Sequence, residues 1–283
     1  MSEPDESRAN FCYRHPDRQS FVLCQRCGRT ICGECQTPAP VGVICPECMA
    51  EQRASAPRTR SPLVKRTRRL ATPGQPAVTY AIMGICILAW LVESLPGIGG
   101  HVTNALQYAG VYSYPGPVFQ PWRMLTSLAV HYSILHIGLN MYTLWIFGKV
   151  LEPVVGRGRY LTLFLVSGFG GSVGVLLLAS PLVAVGGASG ALFGLFGALI
   201  VIHRRLGGNI TQLLVLLAIN LVISFIPGFN IAWQAHLGGL VIGSLVGWIF
   251  IETRGRALFG RQVGLVALLS VVLVAASFLH FVA

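Results

Sequence analysis

Seven stretches of this chain are apolar almost without interruption: 77–97, 129–149, 159–180, 187–203, 209–227, 231–251 and 262–282. A helix needs about 20 such residues, rising about 1.5 Å each, to cross a hydrocarbon layer about 30 Å thick. The pattern therefore predicts an all-α polytopic membrane protein with seven spans, of which the fourth is the shortest. Pro96 with Gly97, the run Gly207, Gly208, Asn209, and Pro227 with Gly228 supply the turns between spans. The segment 98–128, rich in Pro, Gly, Tyr and Trp, reads as a partly embedded interfacial structure. Before residue 77 the pattern changes, first to a polar, cysteine-rich stretch and then to a Pro- and Arg-containing one.

Composition agrees with that division. Of 283 residues 53% are hydrophobic and 11% charged, too apolar for an ordinary water-exposed domain. Seven of the ten acids lie in the first 51 residues, and no Asp follows Asp17. A net charge of +11 raises the thought of nucleic acid. The largest basic cluster outside the cysteine-rich region, Arg53 to Arg69, directly precedes the first span, however, so a juxtamembrane segment facing anionic membrane lipid is the simpler reading and nucleic acid is disfavoured. Basic residues also orient the spans, because cytoplasmic loops are enriched in them. With the N-terminus in the cytoplasm, twenty of the 21 fall inside and only Arg123 outside, which puts the C-terminus on the outer face. The opening residues MSEPDESRAN hold no apolar run of the kind a secretory signal carries. The expected location is a plasma membrane, of bacterial type.

Strongly polar groups inside a span are costly and by default functional. His131, His136 and Asn140 fall in the outer half of the second span, Ser189 opens the fourth, and His236 lies near the outer end of the sixth. Each has an ordinary reading alone: a small packing residue, a bridge to a carbonyl, an interhelical hydrogen-bonder. Together they make a hydroxyl, an imidazole base and donors for an oxyanion at one depth. His136 and Asn140, four residues apart, share a helix face. Gly190 and Gly194 after Ser189, and Gly239, Gly243 and Gly247 after His236, form small faces that let two helices approach. With no Asp after residue 17 a Ser-His-Asp triad and a paired-aspartate site are excluded in the membrane, and no H-E-x-x-H motif is present.

At these residues the sequence resembles the rhomboid family of intramembrane serine proteases. Gly187-Ala188-Ser189-Gly190 is similar to that family's G-x-S-G, and Ala235-His236 with Gly239 and Gly243 to its A-H-x-x-G-x-x-x-G. The stretch HYSILHIGLNMYTLWIFGKVLEPVVG carries His136 and Asn140 with Gly148, Glu152 and Gly156, and Trp122-Arg123 matches a W-R pair before the second span. The resemblance covers roughly 75–255. It implies a six-helix core at 77–255 with an extra seventh helix at 256–283, Ser189 as nucleophile and His236 as general base. It also implies an oxyanion hole from His136, Asn140 and the Ser189 N–H, no cofactor for catalysis, and transmembrane proteins as substrates. Phe193 stands where the family often has a Tyr stacked on the catalytic His.

Residues 12–48 space Cys12, His15, Cys24, Cys27, Cys32, Cys35, Cys45 and Cys48 as four two-gap pairs, the ligand set of two tetrahedral zinc sites. Disulfides conflict with a reducing cytoplasm. The spacing resembles B-box fingers, which implies that pairs one and three share one zinc and pairs two and four the other; sequential pairing stays open. Residues 1–50 thus form a zinc-finger domain whose folding rests on two structural zinc ions and whose expected role is docking a cytoplasmic protein partner. Residues 51–76 are a basic linker, and Cys86 is a packing residue. Two other readings of the whole remain: a catalytically silent rhomboid-like protein that binds membrane clients, and a polytopic transporter, which would need polar groups deeper in the membrane.

Overall fold

A computed structural model of the chain describes residues 10–39, 41–55, 75–226 and 231–278. The chain divides into two compact units, Met1–Leu70 and Ala71–Ala283. The basic stretch Arg58 to Arg69 and the turn at Pro227 and Gly228 lie outside the described residues.

The first unit is small. Strands β1 (Phe11–Cys12) and β2 (His15–Gln19) pair antiparallel, as do β3 (Thr37–Pro38) and β4 (Val43–Ile44). Helix α1 (Pro46–Ser55) follows and runs past residue 50. Among its described residues the interior consists of six buried cysteines with Ile31 and Ile44 beside them, far less apolar material than a core of this size needs.

The second unit is helical: α2 (Ala77–Glu93), α3 (Gly99–Leu106), α4 (Arg123–Thr126), α5 (Ile134–Val155), α6 (Arg157–Leu178), α7 (Ser189–Arg205), α8 (Thr211–Ile223), α9 (Trp233–Glu252) and α10 (Phe259–Phe278). Seven of these, α2 and α5 to α10, stand where the seven apolar stretches predict spans, which makes this an integral membrane protein. Among the described residues, four regions (α5, α6, α9 and Arg256–Phe278) are long and apolar enough to cross a membrane by length and composition. Two corrections arise. The second helix of the pattern starts at Ile134 rather than 129, because Ser127–Ala129 forms a 3-10 turn and Ser133 then caps α5 through the His136 N–H. The shortest span helix among the described residues is the fifth, with 13 residues, not the fourth, with 17. The fifth stretch has a polar start, where Thr211 donates its N–H to Asn209 Oδ1 at 2.8 Å, and helical bonding stops at Ile223.

Helix α9 lies against both α6 and α7 with backbone nearly touching backbone. A methyl group on Gly239 would stand 1.9 Å from the Gly190 carbonyl oxygen, and one on Gly243 2.2 Å from that of Gly194. Toward α6, a methyl on Gly238 would stand 2.4 Å from the Gly170 oxygen. Only glycine permits these approaches. By contrast α8 buries none of its residues, as expected of an apolar helix turned toward lipid.

Three polar devices hold the periphery. The Glu152 carboxylate, 2% exposed near the end of α5, accepts the N–H groups of Val78 and Thr79 at 2.9 and 2.8 Å and the Thr79 hydroxyl at 2.7 Å. It thereby caps α2, whose own N-cap residue, Pro76, offers no side-chain acceptor. Arg123 spans the segment 98–128, donating to the carbonyls of Asn104 in the last turn of α3 and of its C-cap Gln107, and lying over the Tyr112 ring at 4.1 Å. The seventh span helix is clipped by Gln262, which accepts from Arg159 at 2.6 Å and donates to Thr253 at 2.7 Å.

Removing the Glu152 acceptor strands the buried Thr79 N–H and hydroxyl and the partly buried Val78 N–H, so Glu152→Ala should cost about 3 kcal/mol. Glu152→Gln, which keeps one acceptor oxygen, should cost less. Unfolding in detergent, followed by circular dichroism, measures both; equal stability of all three proteins would show that this cap carries no weight.

Candidate active site and metal clusters

Ser189 is the first residue of α7, so its N–H precedes the helical ladder and has no carbonyl within it to bond. Gly187, two residues earlier, turns the chain into the helix at φ +132° and donates its N–H to the Ser127 carbonyl at 2.8 Å. His236 is the fourth residue of α9 and 6% exposed. The glycine contacts between α7 and α9 bring the two side chains together: His236 Nε2 lies 2.9 Å from Ser189 Oγ. Phe193, one turn after Ser189, stacks on the imidazole with centroids 4.0 Å apart and planes 13° from parallel.

The second imidazole nitrogen is also bonded. His236 Nδ1 lies 3.0 Å from Ser224 Oγ, and Ser224 in turn donates to the Asn220 carbonyl at 3.0 Å. Ser224 is not among the residues the sequence points to. The available signal is faint, a second polar side chain four residues after Asn220 in an apolar run.

His136 lies on the other side of the serine. Its Nδ1 accepts the Tyr132 N–H at 3.4 Å, which leaves the ring proton of the neutral imidazole on Nε2. A methyl on Gly187 would stand 2.8 Å from His136 Nε2 and 3.8 Å from Ser189 Oγ, so the glycine keeps open the space between these two atoms. Asn140 is buried one turn further along α5; its amide nitrogen donates to the His136 carbonyl at 2.8 Å, and its Oδ1 is buried without a protein partner. His131 precedes α5, holds the Ala129 carbonyl through Nδ1 at 3.0 Å, and gives its N–H to Glu93 at 3.1 Å. Its ring centroid is 5.0 Å from that of His136, and it does not reach the Ser-His pair.

In the first unit the eight cysteine and histidine residues gather as two sets of four, Cys12, His15, Cys32, Cys35 and Cys24, Cys27, Cys45, Cys48, with the ligand atoms of each set within 4.8 Å of one another. Pairs one and three therefore share a cluster, as do pairs two and four. His15 Nδ1 lies 3.8, 3.3 and 3.5 Å from the sulfurs of Cys12, Cys32 and Cys35. One imidazole nitrogen cannot hydrogen-bond three thiols at once, but three thiolates and a nitrogen about 2.1–2.3 Å from a central ion lie about 3.5–3.8 Å apart. Burial raises the Cys12 and Cys24 thiols, yet backbone N–H donors, led by Cys32 and Arg26 respectively, outweigh it and bring each to about 6. Burial and the neighbouring thiols push Cys35 up to about 11 and Cys48 to about 12. A cation is what lets all the sulfurs of such a set ionise together.

A family-wide sequence profile described as Rhomboid domain matches residues 118–253. Rhomboid protease GluP of Bacillus subtilis is 31% identical over 178 residues, covering 60% of this chain and 34% of that protein. RHOMBOID-like protein 6, mitochondrial, of Arabidopsis thaliana is 36% identical over 139 residues, 47% of this chain and 44% of its own. The chain thus spans less than half the length of either. YdcA of Bacillus subtilis is 31% identical over 187 residues, 64% of this chain and 92% of YdcA.

Each four-ligand cluster should hold one divalent ion. Metal analysis of the purified chain should give a metal-to-protein ratio near two, falling toward one in Cys45→Ser, with metal released on acidification as the ligands protonate. A ratio near zero in protein purified without chelator would count against both clusters.

Proposed function

This chain belongs to the rhomboid family, and from that premise we propose that it is an intramembrane serine endopeptidase cutting other membrane proteins in or near their transmembrane segments. The observation that carries the proposal is the 2.9 Å contact between Ser189 Oγ and His236 Nε2 at the start of two glycine-packed helices. A silent client-binding protein needs no hydroxyl in hydrogen-bond contact with an imidazole.

In this reading Ser189 Oγ attacks the scissile carbonyl carbon while its proton passes to His236 Nε2. The carbonyl oxygen, now an anion, takes hydrogen bonds from the Ser189 N–H and from His136 Nε2–H, across the space that Gly187 leaves open. The first-turn position adds the positive end of α7. Asn140 holds the His136 carbonyl and contributes to the same hole through its second amide hydrogen. As the C–N bond breaks, His236 returns the proton to the leaving amine, leaving an ester on Ser189. His236 then takes a proton from water, the hydroxide attacks the ester, and Ser189 is released with its own proton restored. Glu93 Oε1, His131 Nε2 and Asn140 Oδ1, buried without protein partners, are the kind of groups that retain water near the reaction. No metal or organic cofactor takes part in these steps.

The proposal extends to the rest of the chain. Residues 1–50, with α1 carrying on to Ser55, form a head holding two structural zinc ions, one in each cluster, and docking a cytoplasmic protein. Residues 51–76 are a tether along anionic lipid, 77–255 the six-helix catalytic core, and 256–283 an added span. The distribution of basic residues supports a cytoplasmic N-terminus and an outward C-terminus in a bacterial plasma membrane.

Purified protein in lipid vesicles with single-span substrates tests the chemistry. Ser189→Ala and His236→Ala should each abolish cleavage with the fold intact, and substantial turnover by Ser189→Ala would end the serine mechanism. His136→Ala should slow kcat by about 10- to 1000-fold, the range for one oxyanion donor.

Deleting residues 1–55 should leave cleavage of a model substrate in detergent unimpaired, with Lys65, Arg66, Arg68 and Arg69 retained to hold the topology. A truncated protein that inserts correctly but is inactive would show that the head belongs to the catalytic unit.

A further inference from the structure

The proposed dyad leaves one question open, which is what turns the correct nitrogen of His236 toward Ser189. Phe193 sets the plane of the ring, but a stacked face is equally satisfied if the imidazole rotates by half a turn. Three acidic residues follow Glu51 in the sequence, and none of them bonds to His236. The partners of its two nitrogens are both neutral hydroxyls, Ser189 at 2.9 Å and Ser224 at 3.0 Å.

We infer that Ser224 is the positioning residue of this site, its hydroxyl oxygen accepting the Nδ1–H of His236 and holding the imidazole in the tautomer whose bare Nε2 faces Ser189. The inference rests on the proposed dyad for its consequence in catalysis. Its geometry stands separately. A serine hydroxyl has one proton, and that of Ser224 is directed at the Asn220 carbonyl, 3.0 Å away. Its oxygen can then only accept at its contact with His236, which puts the imidazole proton on Nδ1. Ser189 is left to donate to Nε2, the direction in which its proton must travel for attack. The opposite tautomer would set an N–H against Ser189 and leave no base.

Burial supports the assignment. A serine bonded back to the carbonyl four residues earlier is common in apolar helices and by itself means little. Ser224 differs in its surroundings, because it is the one buried residue in the described stretch 211–226, at 6% exposure. Helix α8 itself faces outward or lies only partly covered, so the polar tether from its C-cap into the bundle is made at the His236 imidazole. Phe225 and Trp233, with ring centroids 5.5 Å apart, pack beside the same junction.

The test uses the full chain in lipid vesicles with a single-span substrate, comparing Ser224→Ala and Ser224→Thr with the unaltered protein. Ser224→Ala should lower kcat by about 10- to 100-fold, the scale of one lost orienting hydrogen bond and a displaced base, with KM changed less than about twofold. Ser224→Thr, which keeps the hydroxyl, should recover most of the rate. An unchanged kcat in Ser224→Ala, or a threonine variant as slow as the alanine one, would overturn the role. Nitrogen NMR of histidine-labelled protein, with His236→Gln to assign the signal, reads the tautomer without any turnover. Protonated Nδ1 and bare Nε2 in the unaltered protein, with that preference lost in Ser224→Ala, are expected. Proton on Nε2 in the unaltered protein would refute the inference even if the protein cleaves. Failure of the unaltered protein to cleave any substrate would remove the proteolytic reading, while the NMR result would still decide the hydrogen bond.

Discussion

Everything in the membrane unit depends on how closely α9 can lie against α6 and α7. Gly239 and Gly243 face the Gly190 and Gly194 carbonyls at distances that exclude even a methyl group, and Gly238 meets α6 in the same way. In lipid there is no hydrophobic drive between helices, so dispersion over long, close backbone contacts is a principal source of cohesion. The same contacts do chemical work. Ser189 and His236 are short side chains on separate helices, and their 2.9 Å approach is available only because the backbones carrying them have nothing between them.

From that approach follows an unusual electrostatic solution. Burying a carboxylate beside the imidazole would be expensive at this depth, and the bonded chain from Ser189 through His236 and Ser224 ends instead on a backbone carbonyl. No carboxylate takes part in it. In the proposed mechanism the oxyanion side is likewise built without a formal charge, from a helix-start N–H and an imidazole whose Nδ1 accepts the Tyr132 amide. Where a carboxylate is buried, as at Glu152, it is spent on capping a helix and is fully bonded.

The first unit solves the opposite problem. It has too little apolar material to close a core, and its interior is mostly cysteine sulfur. Two four-ligand sets, each drawn from non-adjacent pairs, gather residues far apart in sequence, and an ion held in each would make binding and folding one event. The membrane unit is cohesive through what its glycines lack, and the small unit through what its cysteines can bind.

Much of this was readable from order and spacing alone. The seven apolar stretches, the small faces following Ser189 and His236, and the eight ligands in two-gap pairs are local patterns, and local patterns survive in a linear text. Helix ends were less legible: the start of α5 and the length of α8 depend on caps and on a 3-10 turn that hydropathy does not register. Which cysteine pairs share a cluster is a question of chain crossing, left open by spacing and answered by the positions of the sulfurs. Ser224 was invisible for the same kind of reason. Its neighbours in sequence mark it as an ordinary serine in an apolar run, and it matters only because the end of α8 returns to the bundle where the Ser224 hydroxyl meets the imidazole of α9. Types of chemistry could be read from residue identity; which atom faces which required the fold, because distance across helices is set by packing and not by sequence separation.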